Sequence, residues 1–132
     1  MATMRDVEKI VERLPGVGEG EHHGHRTWFV DARPKPKGFA WERPFSKADI
    51  KRFGDENPPD GPILAVNTAD LGEKEALLAA HPGMLFTIPH FNGYAAVLVH
   101  LKKCTVKVLR ETIEDGWLAV APKELADQYL KR

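Results

Sequence analysis

Cysteine is nearly absent from this 132-residue chain. The lone Cys104 cannot close an internal disulfide, so a secreted disulfide scaffold is excluded and stability has to come from packing. Long apolar runs are missing as well. Nothing approaches the roughly 18 residues that a membrane helix needs, and the opening Met1-Ala2-Thr3-Met4-Arg5-Asp6-Val7-Glu8 lacks the apolar stretch of a signal peptide. A cytoplasmic protein without membrane contact is therefore expected. An excess of one charge is also lacking: 19 Lys and Arg face 19 Asp and Glu, which argues against a strong, non-specific polyanion binder. Internal repeats and low-complexity tracts are absent. What is present is 42% hydrophobic and 29% charged, a globular composition of a length that suits one domain over residues 1–132.

Thr3-Met4-Arg5-Asp6 reads as an acidic capping box, and Val7, Ile10, Val11 and Leu14 follow at helical spacing until Pro15-Gly16. From Val17 to Arg43 the pattern turns extended. Arg26–Asp31 and Phe39–Arg43 form a hairpin around the stiff basic loop Arg33-Pro34-Lys35-Pro36-Lys37-Gly38. Ser46-Lys47-Ala48-Asp49 suggests a short capped helix to Arg52 or Phe53, followed by a breaker-rich loop over 55–62. Ile63–Asn67 suits a buried strand, and Leu71–Ala80 a helix closed by His81-Pro82-Gly83. Met84–Ile88 and Tyr94–Leu101 flank Asn92-Gly93, which predicts a tight primed turn and an antiparallel pair. Thr105 caps a last long helix with the stripe Val106, Leu109, Ile113, Trp117 and Val120, and Gly116 within it implies a close backbone approach. Ala121-Pro122 begins a final short helix through Leu130. The order predicts an α+β fold: an antiparallel sheet of about five strands with helices packed on one face.

No reaction centre emerges. His22-His23-Gly24-His25 gathers three imidazoles, but without the spacing of a metal site, and it reads as a polar strand entrance. Cys104, with His100 four residues before it, is expected to be a buried junction residue rather than a nucleophile. Gly16-Val17-Gly18-Glu19-Gly20 follows a helix and lacks the Lys and Ser or Thr of a phosphate-cradling loop, and no Gly-x-Ser-x-Gly elbow occurs. Asp6, Glu8 and Glu12, like Glu111, Glu114 and Asp115, mix with basic residues as solvated helix faces do. No catalysis, metal or cofactor is expected.

Charge is nevertheless uneven along the chain. Between Arg26 and Arg52 lie eight basic residues against three acidic ones. Arg26, Arg33, Lys35, Lys37 and Arg43 lie on and beside one hairpin, from which they can reach phosphates, with Trp28 or Trp41 as a stacking face. The same charges can instead serve to block edge pairing. The second tip, Pro89-His90-Phe91-Asn92-Gly93-Tyr94, offers donors and an aromatic, or simply turn chemistry and a staple into the core.

Six blocks add a further indication: Leu14-Pro15-Gly16-Val17, His23-Gly24, Lys37-Gly38-Phe39-Ala40, Gly72-Glu73-Lys74-Glu75-Ala76-Leu77-Leu78, Pro89–Tyr94 and Gly116-Trp117-Leu118-Ala119-Val120-Ala121-Pro122-Lys123. In this order, across nearly the whole chain, the sequence resembles the MmcQ/YjbR family. The resemblance implies an α+β fold related to frataxin-like folds, with hairpins acting as a double wing, and the DNA-binding role attached to that motif. It marks Lys37, Phe39, His90, Asn92 and Trp117 as family-type positions, Phe39 and Trp117 being most simply core anchors. A frataxin-like iron function would need an acidic ridge, and here Arg5, Lys9 and Arg13 interrupt Asp6, Glu8 and Glu12.

The expectation is thus a non-enzymatic binder of double-stranded DNA. Arg26, Arg33, Lys35, Lys37 and Arg43 would contact phosphates, roughly three to five in all, while His90 and Asn92 would reach a groove. The alternative is a small-molecule or protein-interaction module in which His23, Trp28, Trp41 and His90 line a concave sheet surface.

Overall fold

The computed structural model describes residues 1–22, 24–32, 35–45, 51 and 61–131. The capping box forms at the start of α1 (Met4–Glu12): the Asp6 amide donates to the Thr3 hydroxyl at 3.3 Å, and the Thr3 amide donates to the Asp6 carboxylate at 2.9 Å. These bonds satisfy two of the orphan donors of the first turn. The helix buries Val7, Ile10 and Val11. Gly16 then turns the chain at φ +70°, where a Cβ would stand 2.6 Å from Leu125.

Six strands follow: β1 (Val17–His22), β2 (His25–Val30), β3 (Lys37–Glu42), β4 (Ile63–Asn67), β5 (Leu85–Phe86) and β6 (Ala96–His100). They form one antiparallel sheet in the order β1-β2-β3-β4-β6-β5. The expected count of about five falls one short because β1, with its Gly and Glu, carries little strand propensity of its own. It pairs with β2 along all its residues, from Val17 opposite Val30 to His22 opposite His25. Between β2 and β3 the register jumps from Trp28–Ala40 to Phe29–Gly38, leaving Phe39 as the extra residue of a bulge. Phe39 and Ala40 both enter the core beneath the helices as a result.

The remaining helices are α2 (Leu71–Ala80), α3 (Val106–Val120) and α4 (Lys123–Leu130). Leu109, Ile113 and Trp117 of α3 join Val7 and Val11 of α1 over Trp28, Phe39, Leu64, Val66, Val97 and Val99 of the sheet. Gly116 sits where the close approach was expected: a Cβ there would lie 2.5 Å from Val66 Cγ1 and 2.9 Å from the Asn67 carbonyl oxygen. Among the described residues no helix is long and apolar enough to cross a membrane.

The opposite face of the sheet carries a smaller cluster. Ile63, Ala65, Ala96 and Leu98 are covered by Ile88 and Phe91, with Trp41, Phe45 and Phe86 around them. The expected long hairpin over 84–101 is therefore cut short, and β5 pairs with β6 only at Leu85–Val99 and Phe86–Leu98. Pro89 has no amide donor and a fixed φ that suits a first helical turn, so a 3-10 turn, Pro89–Phe91, replaces the strand. The turn at Asn92-Gly93 is type II rather than primed: Asn92 has φ −61° and ψ 129°, Gly93 φ +78°, and the Tyr94 amide donates to the Phe91 carbonyl at 3.0 Å. The connection folds back over the sheet. The helix expected from Ser46 lies outside the described residues apart from Lys51, as does the loop expected over 55–62 apart from Gly61 and Pro62.

Candidate nucleic-acid interface

Two connections emerge at the same end of the sheet, because Asn67, the last residue of β4, is tied to both. Its side-chain amide donates to the Gly38 carbonyl at 3.0 Å, and its backbone pairs with Ala96. The next amide, Thr68, donates to the Ala95 carbonyl at 2.9 Å. The start of β3 and the loop over 88–95 therefore lie at one end of the sheet, Lys37 opposite Val30 of the helix-facing side and the loop over the other face. Lys35 and Lys37 are exposed, and among the described residues neither ammonium has a hydrogen bond or ion pair. His90 and Asn92 are exposed on the neighbouring loop, and Tyr94 keeps 51% of its surface.

That loop is held from behind by a lysine. Lys74 of α2 is buried and donates from Nζ to the carbonyls of Phe91 at 2.6 Å and Tyr94 at 2.8 Å, the two ends of the type II turn. It has no carboxylate partner among the described residues, and burial pushes its ammonium below the ordinary lysine range. The loop's aromatic residues pack on the sheet: Tyr94 stands edge-on to Trp41 with ring centroids 6.3 Å apart, and 5.6 Å from Phe91. The Arg43 guanidinium lies 5.6 Å from the Phe91 ring centroid. The arrangement fixes the backbone of the turn while leaving His90, Asn92 and one side of Tyr94 to solvent.

Arg26 does not share this end, and Arg43 starts from the opposite one although its guanidinium reaches the Phe91 ring. Arg26 lies at the opposite end of the sheet, beside the β1–β2 turn, on the helix-facing side. Its guanidinium is 2.8 Å from Glu19, 3.4 Å from Glu8 and 3.9 Å from Glu42, and 4.8 Å from the Trp28 ring centroid. The hydrogen bond from Arg26 holds the Glu19 carboxyl below its usual range, and the same contact raises the guanidinium. Arg26 thus joins α1 to three strands, with its charge compensated where it stands. Arg43 follows β3 at that same end, where its backbone amide donates to the Ile63 carbonyl and its Nη1 to the Pro44 carbonyl at 2.6 Å. Arg33 and His23 lie outside the described residues.

Trp28 is 1% exposed beneath the helices, whereas Trp41 is half-buried on the other face. The two indoles occupy successive registers, Trp28 opposite Ala40 and Trp41 opposite Thr27, so one surface cannot present both. Trp28 and Trp41 therefore do not line one concave surface. Cys104 is fully buried and its thiol is pushed up to about 11 by desolvation, which suits a junction residue and disfavours the thiolate. Among the described residues no group of three or more His, Cys, Asp or Glu side chains could hold a metal ion.

Sequence reasoning overlooked two structural roles. Lys74 reads as an ordinary helix-surface residue, and only its place in the block Gly72–Leu78 set it apart. Arg26 reads as one charge among many, and the alternating Glu19 and Glu21 on the neighbouring strand were the available sign of its partners.

No family model matches the chain. The crystal structure of Deinococcus radiodurans protein DR2400, which carries the family-model domain DUF419, superposes with a TM-score of 0.68 at 21% identity, over 98% of this chain and 88% of that one. That likeness establishes the shared α+β fold. Among curated proteins, the uncharacterised proteins Rv2570 of Mycobacterium tuberculosis and Mb2600 of Mycobacterium bovis are each 45% identical over 133 residues, covering 98% of this chain and 97% of the relative. The chain therefore belongs to the same family as these uncharacterised mycobacterial proteins.

Proposed function

We propose that the chain binds double-stranded DNA, without catalysis, through the sheet end at which the β2–β3 connection meets the loop over 88–95. The observation that carries this reading is that Lys35 and Lys37, whose ammonium groups have no hydrogen bond or ion pair among the described residues, and the exposed His90 and Asn92 stand on connections at one end of the sheet. The sequence resemblance to MmcQ/YjbR proteins and their double wing supports it. Here the first wing is the β2–β3 connection. The second is a short, folded-back loop rather than a projecting hairpin.

The division of labour follows from the chemistry of each group. The ammonium groups of Lys35 and Lys37 take phosphates, which position the protein without reading sequence. The Asn92 side chain both donates and accepts, as a base edge requires, and His90 adds a second polar contact. Lys74 holds the turn before DNA arrives, so little of the loop's backbone freedom is lost on binding. The chain's zero net charge keeps affinity modest away from this end.

Fluorescence anisotropy of a labelled duplex, titrated at several salt concentrations, tests the assignment. Replacing both lysines, Lys35→Glu and Lys37→Glu, should weaken binding and lower the salt slope by about 2, one for each phosphate contact. The circular dichroism spectrum should not change, because both side chains are exposed. Affinity and slope equal to those of the unmodified protein would overturn the proposal.

A further inference from the structure

The helix layer contains a separate cleft of about 250 Å³ between α1, α3 and α4. Its apolar surface comes from Ile10, Val106 and the ring of Tyr129, which packs edge-on against Trp117 at 5.2 Å. Its two carboxylates are already engaged. Asp6 accepts from the Thr3 amide in the capping box, and Glu114 accepts from the Tyr129 hydroxyl, both at 2.9 Å.

Its three cations are not. Lys9, Arg13 and Arg110 line the cleft, and none of their charged groups has a hydrogen bond or ion pair among the described residues. Lys9 in the last turn of α1 and Arg13 at its C-cap stand four residues apart, a spacing that sets two like charges side by side. Arg110 lies in the second turn of α3, on the side that faces the cleft. An anion seated among the three groups would offset their mutual repulsion.

We propose that this cleft binds a small organic anion, a carboxylate or phosphate head on a one-ring or short aliphatic body. The guanidinium forks of Arg13 and Arg110 match either head in a bidentate manner, with Lys9 as an added point charge. The body rests on Ile10, Val106 and Tyr129. A volume of 250 Å³ lies at the small end of ligand clefts and limits the body to about one ring. The site shares no residue with the sheet end assigned to DNA, so either assignment can fail alone.

The test is a titration of the full, isotope-labelled chain, followed by amide NMR shifts, with phenyl phosphate and phenylacetate as probes and benzyl alcohol as the neutral counterpart. Saturable shifts are expected at the end of α1, the start of α3 and around Tyr129 with at least one of the two anions, and much weaker binding of the alcohol. The double variant Arg13→Gln, Arg110→Gln should bind the same anion at least about tenfold more weakly, as expected for loss of two charge-assisted contacts, while its spectrum stays dispersed. The Lys35→Glu, Lys37→Glu variant should bind it as the unmodified chain does. Absence of saturable shifts with both anions, shifts centred elsewhere, or equal affinity for benzyl alcohol would overturn the proposal. Unchanged affinity in the double arginine variant would do the same.

Discussion

A buried lysine with no carboxylate partner among the described residues has to be justified by what its ammonium holds, and Lys74 holds the two carbonyls that flank the Asn92-Gly93 turn. Replacing it with methionine keeps the apolar stem and leaves both carbonyls without their donor, at a cost of about 1–3 kcal/mol for each buried orphan, offset in part by relief of the buried charge. Hydrogen exchange at Asn92–Tyr94 should quicken well before the rest of the sheet responds. Protection unchanged from the unmodified chain would count against the clamp. Its pH signature has a defined sign. Because the folded state holds Lys74 below the ordinary lysine range, the unfolded chain binds more protons in the interval between the two values, and stability rises with pH across it. The neutral amine still has two hydrogens for the two carbonyls. Cys104 acts in the opposite sense: its thiol is raised to about 11, so stability falls as pH climbs from the ordinary thiol range towards that value. Denaturant melts of the unmodified chain and the Lys74→Met variant over the same alkaline series separate the two, since only the lysine contribution disappears from the variant.

At the scale of elements, the tightest contact is between α3 and the sheet. Gly116→Ala improves helix propensity by about 1 kcal/mol but drives a methyl to 2.9 Å from the Asn67 carbonyl, which is backbone and cannot move aside. A net loss of about 1–3 kcal/mol is expected from overpacking, read as a lower midpoint in urea; a variant as stable as the parent would mean that α3 does not rest on β4 as described. On the same helix, Asp115 is raised by desolvation and by the carboxylates Glu73, Glu114 and Glu111. Folding therefore becomes less favourable as pH rises through its range, and Asp115→Asn should stabilise the protein at neutral pH but not in acid. Elements whose signals are local were legible in the sequence: the Thr3 capping box, the Leu71–Ala80 helix, the Thr105 cap and the close approach at Gly116 all took the form their residues indicated. What failed depends on partners distant in sequence. Phe91 and Ile88 were drawn onto Ala65 and Leu98, so the Asn92-Gly93 segment closed a folded-back loop instead of a long hairpin. The pairing of the Gly- and Glu-rich β1 needed β2 beside it.

For the molecule as a whole, the register of the sheet decides which charges can act together. The basic residues that the sequence places on and beside one hairpin are divided: Lys35 and Lys37 face solvent at one end, whereas Arg26 is compensated by Glu8, Glu19 and Glu42 at the other. Arg26→Gln should therefore lower stability and leave DNA affinity nearly unchanged in folded protein, the reverse of the lysine substitutions. No pattern in the sequence alone could separate these charges, because the bulge at Phe39 and the pairing of β1 set where each one emerges. The most direct test of DNA binding at this sheet end is the anisotropy titration of a labelled duplex with the unmodified chain and with the Lys35→Glu, Lys37→Glu variant, from low to near-physiological salt. Binding that weakens steeply with salt, and a salt slope reduced by about 2 in the variant, are expected. A duplex left unbound even at low salt, or bound equally by both proteins, would contradict it.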